Sequence, residues 1–329
     1  MVNALTKLAT LACICILPCR VLADVPLGGS RVHFATQSEG RQILTERDEF
    51  IRHLGPFDRS ARMKTDKAVS EDEFLRFVRR NVLDWTEEER QTVQVAVEAI
   101  QPLLRDLPLS LPRIVQLIKS TGAEQGYATY TQGTAIVLHE ADIGKSQKEL
   151  QRLICHELFH ILSRSNPGLR ERLYGIIGFR KCNEIDLPSE LKRRKLTNPD
   201  APRNDYFIRL QINGRESLAV PILLSSVETY DVRRGGEFFA YIQLQFLVVE
   251  KSGASQNFRI VYEGSSPKVV GLQSIAGFLE QVGRNTDYII HPEEILADNF
   301  ALLVLDGHDV ASPEILQKMK AALTRKTTP

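Results

Sequence analysis

Apolar and polar positions along the chain divide it into helical stretches at both ends and a strand-rich middle. Phe74, Leu75, Val78 and Val82 recur at helical spacing and predict a helix over 71–84. Thr86, with Glu89 three residues on, is a capping box that opens a helix with Val93, Val97, Ile100 and Leu104 on its apolar face. A broader stripe, Leu150, Leu153, Ile154, Leu158, Ile161 and Leu162, predicts a half-buried helix over 147–163, stopped by Asn166-Pro167-Gly168. Further helices are expected at 169–174, at 272–282, from Pro292 onward and at 313–323, Pro292 fitting a first helical position. Alternating and β-branched runs predict strands at 114–119, a hairpin of 127–131 with 134–138, and strands at 206–212, 218–227, 238–249 and 258–262. Residues 192–195 form a basic run that reads as a solvated face, and Asn198-Pro199-Asp200-Ala201-Pro202 is turn chemistry.

The class expected from this order is α+β. After a leader at 1–23 it comprises an N-terminal helical region at 24–110, a sheet-and-helix unit at 111–200, a β-rich insertion at 201–270 and a C-terminal helical region at 271–329. The N-terminal region reads as helical support, with a propeptide as the alternative.

Composition narrows the possibilities. At 329 residues with 43% hydrophobic and 25% charged residues, the chain has ample core for one large domain or two smaller ones. A net charge of +1 gives no electrostatic case for nucleic acid or an anionic membrane. Lys7 precedes an apolar run over 8–17, and Val21-Leu22-Ala23 follows with small residues at the last and third-last places. That is a secretory signal, cleaved near Ala23, too short to span a membrane, so a secreted or periplasmic protein is expected. Cys13, Cys15 and Cys19 fall in this leader, leaving Cys155 and Cys182. These two either pair, closing a loop after the 147–163 helix, or remain as small buried apolar side chains.

The chemistry centres on His156-Glu157-Leu158-Phe159-His160. Histidines four apart share one helix face, so two imidazole nitrogens can meet one Zn2+. Glu157 then lies beside the metal, placed to take a proton from an activated water. On the chain's own His and Glu frequencies, a chance match has odds of roughly one in a hundred. The segment resembles the HExxH motif of the zincin metallopeptidases. Cys155 points about 100° away around the helix, so it is a poor ligand.

Catalytic zinc keeps three protein ligands and one open position. Glu294 and Asp298 are four apart, and this ExxxD resembles the second motif of the glutamate-zincins, or gluzincins. The resemblance implies Glu294 as third ligand and Asp298 as the partner that orients His156. Glu293 is a rival ligand, but its i+4 neighbour Ala297 has nothing to orient with. His291 is another rival, read instead as a donor to an oxyanion near the metal, a role open to Tyr288 as well. The stretch from Glu294 to Phe300, with Tyr288 upstream, is also similar to the second motif of the anthrax lethal-factor group.

The expectation is an exported zinc-dependent metallopeptidase with a zincin-like core and a peptide or protein substrate. The strand at 134–138 is either the rim along which substrate backbone adds or an ordinary core strand of the same sheet, and the insertion is either a wall or lid over the cleft or scaffolding. Tyr174 reads as core. The same residues would serve a non-catalytic zinc-binding protein with a binding or assembly role, or a zinc amidase acting on cell-wall peptides.

Overall fold

The computed structural model describes residues 24–253, 257–305, 307 and 309–325; the leader expected at 1–23 lies outside the described residues. Strands β1 (Val25–Leu27) and β2 (Ser30–Phe34) form a hairpin over Gly28 and Gly29, both at positive φ. Four helices follow: α1 (Gln37–Leu44), α2 (Glu49–His53), α3 (Pro56–Arg62) and α4 (Glu71–Asn81). The side chains of Thr36, Asp48 and Ser70 cap α1, α2 and α4. Helix α4 stops short of the predicted residue 84 because Val82 and Leu83 leave it as β3 (Val82–Leu83), which pairs with Ser120 and Lys119. Helix α5 (Glu87–Ile100) opens with the expected Thr86–Glu89 box. It ends before Leu104 because Pro102 has no N–H with which to continue the helix ladder.

Strands β4 (Ile114–Ser120), β5 (Tyr130–Gln132) and β6 (Ala135–His139) complete a six-stranded sheet of order β1-β2-β4-β6-β5, with β3 on β4. Strands β2, β4 and β6 are parallel, and β5 is an antiparallel edge. Of the two readings of the strand at 134–138, the core strand is the one found. The run Ala135-Ile136-Val137-Leu138 is apolar on both faces, so it lies inside the sheet, and Tyr130–Gln132 forms the edge. One face of the sheet packs Leu117, Ile136 and Leu138 against α5 and the following helices; the other packs Ile118 and Val137 against Phe50 and Phe74 of α2 and α4. Because β2 pairs directly with β4, residues 24–110 are not a separate unit.

The chain continues through α6 (Glu140–Ile143), α7 (Gln147–Ser165), α8 (Pro167–Ile176), β7 (Arg180–Lys181) and α9 (Ser189–Arg194). The basic run at the end of α9 is only partly solvated: Arg194 donates to Ser225 O, and Lys195 is buried with Nζ 2.9 Å from Pro202 O. A second, seven-stranded sheet holds β7, β8 (Tyr206–Ile212), β9 (Arg215–Ser225), β10 (Ile242–Lys251) and β11 (Phe258–Ile260). Strands β12 (Tyr262–Glu263) and β13 (Ser266–Pro267) make a small ribbon, and β14 (Val269–Gly271) and β15 (Ile275–Ala276) rejoin the sheet.

Two expectations fail here. Phe238–Tyr241 is a 3₁₀ turn rather than the start of a strand. The helix expected at 272–282 is broken by β15 and by Gly277 at φ 82°, a left-handed backbone that glycine accepts; only α10 (Leu279–Val282) is helical there, after a 3₁₀ turn at Leu272–Ser274. Helices α11 (Pro292–Leu305) and α12 (Pro313–Thr324) close the chain. The second sheet packs Ile208, Leu210 and Phe246 into the same core as α7, α8 and α11, while Ile185, Leu187 and Leu191 cover its far face. Cys155 and Cys182 are both free thiols. Among the described residues no helix is long and apolar enough to cross a membrane.

Candidate metal centre

Helix α7 starts at Ser146, whose hydroxyl forms a capping box with Glu149, and its second half is buried on almost every side. Helix α11 starts at Pro292 and is apolar nearly all round, so it too is driven into the core. The two helices pack directly, with the Phe159 and Phe300 rings 5.8 Å apart. That contact turns the histidine face of α7 towards the first turn of α11.

There the predicted residues meet. Glu294 Oε2 lies 3.1 Å from His156 Nε2 and 3.6 Å from His160 Nε2. One ligand atom from each of these three residues lies within 4.8 Å of the others. His156 Nδ1 is 3.0 Å from Asp298 Oδ1, and the Thr286 hydroxyl donates to the other oxygen of that carboxylate. A carboxylate at Nδ1 makes that nitrogen the donor, which leaves Nε2 with the lone pair a metal needs.

Glu293 departs from its expected part. Its failing was to have only Ala297 one turn on, yet its partner lies on the other helix: Oε1 is 3.2 Å from His160 Nδ1. The carboxylate is 0% exposed and is fixed by Ser163 Oγ at 2.9 Å and by the Tyr174 hydroxyl, with Arg170 Nε at 3.9 Å. Each imidazole therefore has its own orienting carboxylate, and the core residue Tyr174 is a support of the site.

His291 is corrected as an oxyanion donor. It lines no part of the cleft, its Nδ1 accepts from the Glu293 amide at 3.1 Å, and burial pushes its pKa down to about 4. It is a neutral cap for α11. Tyr288 does line the cleft, 40% exposed, with its ring 6.4 Å from that of His156. Burial, with Glu294 and Asp200 nearby, raises the Tyr288 hydroxyl, which stays protonated and able to donate.

Sequence reasoning passed over the 197–200 loop. Asn198 Nδ2 donates to Glu294 Oε1 at 2.6 Å, holding the carboxylate that faces the imidazoles. The Asp200 amide donates to Asn198 Oδ1 at 3.0 Å. Asp200 comes close to Glu157 and His160, one ligand atom of each lying within 4.8 Å of the others. This second group shares His160 with the first. The only signal in sequence was the Asn-Pro-Asp turn, which says nothing about where it docks.

Charge is arranged around this cluster. Burial opposes the imidazolium of His156, but Asp298 and Glu294 outweigh it and raise the group to about 9. Burial, reinforced by Asp200, pushes Glu157 up to about 8. Burial works against Glu294 as well, yet His160 and His156 hold it well below the usual carboxylate range. His160 Nε2 and Glu157 Oε2 are buried and have no hydrogen-bond partner among the described residues. A buried polar atom left unpaired costs about 1–3 kcal/mol, so both point to something that occupies the space between them. Two imidazole nitrogens and a carboxylate, each backed by a second hydrogen bond, fit zinc with an open fourth position.

Above these residues is a cavity of about 460 Å³. One wall is the chain leading into the edge strand, Tyr127 to Tyr130; the other is Leu223, Phe238, Phe239 and Ile242 from the β-rich region. No family model, curated protein or solved structure matches this chain.

Proposed function

We propose that this chain is an exported zinc-dependent metallopeptidase that hydrolyses peptide bonds, with a zincin-like core. The observation that carries this reading is the convergence of His156, His160 and Glu294, both imidazoles backed by carboxylates, with the unpaired Glu157 oxygen beside them. The antiparallel edge strand leading out of the cleft wall supports the reading of the core.

Zinc, when bound by His156, His160 and Glu294, supplies Lewis-acid polarisation of the scissile carbonyl and a lowered pKa for the attacking water. Glu157 accepts the water proton and returns it to the departing amine, from a desolvated position beside the ligand side chains. Tyr288 donates its hydroxyl proton to the oxyanion as it develops. Asn198, Asp298 and Glu293 hold the ligand side chains still. The exported character rests on the leader alone.

The test is zinc content beside release of amino groups from denatured casein. Wild type should carry zinc and release amines. Glu157→Gln should keep the zinc and lose roughly 10²–10⁴ of the rate, and Glu294→Ala should lose the zinc. Equal rates for wild type and Glu157→Gln would overturn the reading. A zinc-loaded wild type without turnover would leave the non-catalytic zinc-binding role.

A further inference from the structure

The cleft is closed at one end. Tyr127, Ala128, Thr129 and Tyr130 line it, but Thr131 and the residues that follow do not. At that point the 197–200 loop is tied across the edge strand. The Thr131 amide donates to Asp200 Oδ1 at 3.1 Å, and the Thr131 hydroxyl donates to the same oxygen. Arg164 bridges the two pieces, donating to Thr131 Oγ1 at 2.9 Å, Gly133 O at 2.8 Å and Pro199 O at 3.4 Å.

This closure is anchored from behind. Thr197 donates from its amide and hydroxyl to Asp58 at 2.9 and 2.8 Å, and Arg62 Nη2 donates to Thr197 O at 3.0 Å. The Asp58–Arg62 pair itself is fully buried. An added strand needs outward amides and carbonyls, and the one at Thr131 is already taken. Substrate backbone can follow the edge only as far as this stop.

The stop is acidic. The hydrogen bonds to Asp200 from Thr131 and Arg164 all fall on Oδ1, which leaves Oδ2 as an acceptor. Next to it is Glu157, 2% exposed, with Oε2 unpartnered. Elsewhere along the cleft, before and within the first turns of α7, the half-exposed Lys145 and Arg152 are matched by the carboxylates of Asp142, Glu149 and Asp298. The chain that lines the cleft from Tyr127 to Tyr130 runs towards the stop at Thr131, so a peptide lying antiparallel to it begins there, with its N-terminus against Asp200.

We propose that Asp200 receives the free α-ammonium group of a peptide, so that this site removes residues from N-termini rather than cutting within chains. The inference rests on the peptidase reading above. An ammonium supplies donors for the Asp200 oxygen that Thr131 and Arg164 leave free. A C-terminal carboxylate would face the Asp200 oxygen with no proton to donate to it, and an acylated or extended N-terminus would need the space that the loop fills.

The test uses the zinc-loaded wild-type chain and one decapeptide in two forms, with a free or an acetylated N-terminus, followed by mass spectrometry. The free form should shorten stepwise from its N-terminus, and the acetylated form should react at least roughly thirtyfold more slowly. Asp200→Asn keeps an acceptor for Thr131. It should retain zinc yet show a raised KM for the free form and little discrimination between the two. Internal cleavage of both forms at similar rates would overturn the proposal and leave the peptidase reading intact. Cleavage of neither would overturn the peptidase reading itself. Unchanged discrimination in Asp200→Asn would remove Asp200 from the role, and the wild-type comparison decides the matter should that variant not fold.

Discussion

Glu293 and Asp298 flank Glu294 on α11 and serve one imidazole each, so the two substitutions Glu293→Gln and Asp298→Asn should weaken zinc binding alike. Losing such a partner typically lowers metal affinity about 10–100-fold, measurable by competition with a chromophoric chelator. Glu293→Gln should also lower unfolding free energy by about 1–3 kcal/mol in urea, because Arg170 and the Tyr174 hydroxyl lose a buried anion. Proton competition gives a further test. In the metal-free protein the burial of His156 is outweighed by Asp298 and Glu294, which lift it from 6.5 to about 9, and a protonated Nε2 cannot take a metal. Apparent zinc affinity should therefore rise through pH 6.5–9, by up to roughly tenfold per unit for each proton displaced. The metal-free fold has the opposite dependence: the stabilisation from a raised histidine is whole below 6.5 and is lost as pH passes 9. Zinc titrations at several pH values check the first trend, and a flat profile would contradict the assignment. The ligands were legible because i,i+4 spacing is a property of the helix alone. The partnership of Glu293 with His160 was not, because it depends on how α11 lies against α7.

At the scale of elements, the buried Asp58–Arg62 pair joins the N-terminal helices to the loop that holds Glu294. Arg62 also packs against Gln125, at 3.1 Å, and over the Phe238 ring. Arg62→Met leaves Asp58 buried without its cation and should cost about 3–5 kcal/mol in urea unfolding. It should also weaken zinc binding, since Thr197 and, through it, Asn198 lose their anchor. A variant that is destabilised but binds zinc as wild type would show that the pair supports the fold and not the site. The long helices α5, α7 and α12 could be read from the chain because many turns repeat one apolar face. Short pieces could not. Phe238–Tyr241 has the composition of a strand, but its aromatics turn inward against Gly126, where a Cβ would come within 2.8 Å of the Phe238 ring. The place of the strand at 134–138, rim or core, stayed open in the sequence for a related reason: an apolar run shows that a strand is buried, and its neighbours are set only by the sheet.

Across the whole molecule, His156 and Glu294 are 138 residues apart, and the core that brings them together runs from Val25 to Leu323. A metal that clasps α7 to α11 should therefore stabilise the entire fold. At free zinc a hundredfold above Kd the gain is about 2.7 kcal/mol, so chelation should lower Tm by roughly 4 °C for a chain of this size. Glu294→Ala should show no such response to zinc. The same core decides between support and propeptide for residues 24–110. Removing them would take β1, β2 and β3 from the sheet, uncover β4, and strip α2, α3 and α4 from the face that carries Ile118 and Val137. A propeptide that leaves a stable enzyme behind would instead separate at a boundary few contacts cross. Chain starting at residue 111 is accordingly expected to be insoluble or unfolded by circular dichroism and to bind no zinc stoichiometrically. Limited proteolysis of the chain from residue 24 should not release an N-terminal fragment while the sheet is intact. A folded, zinc-binding 111–325 fragment would instead make residues 24–110 a removable clamp on the Thr197 loop, with Asp58 and Arg62 as its grip.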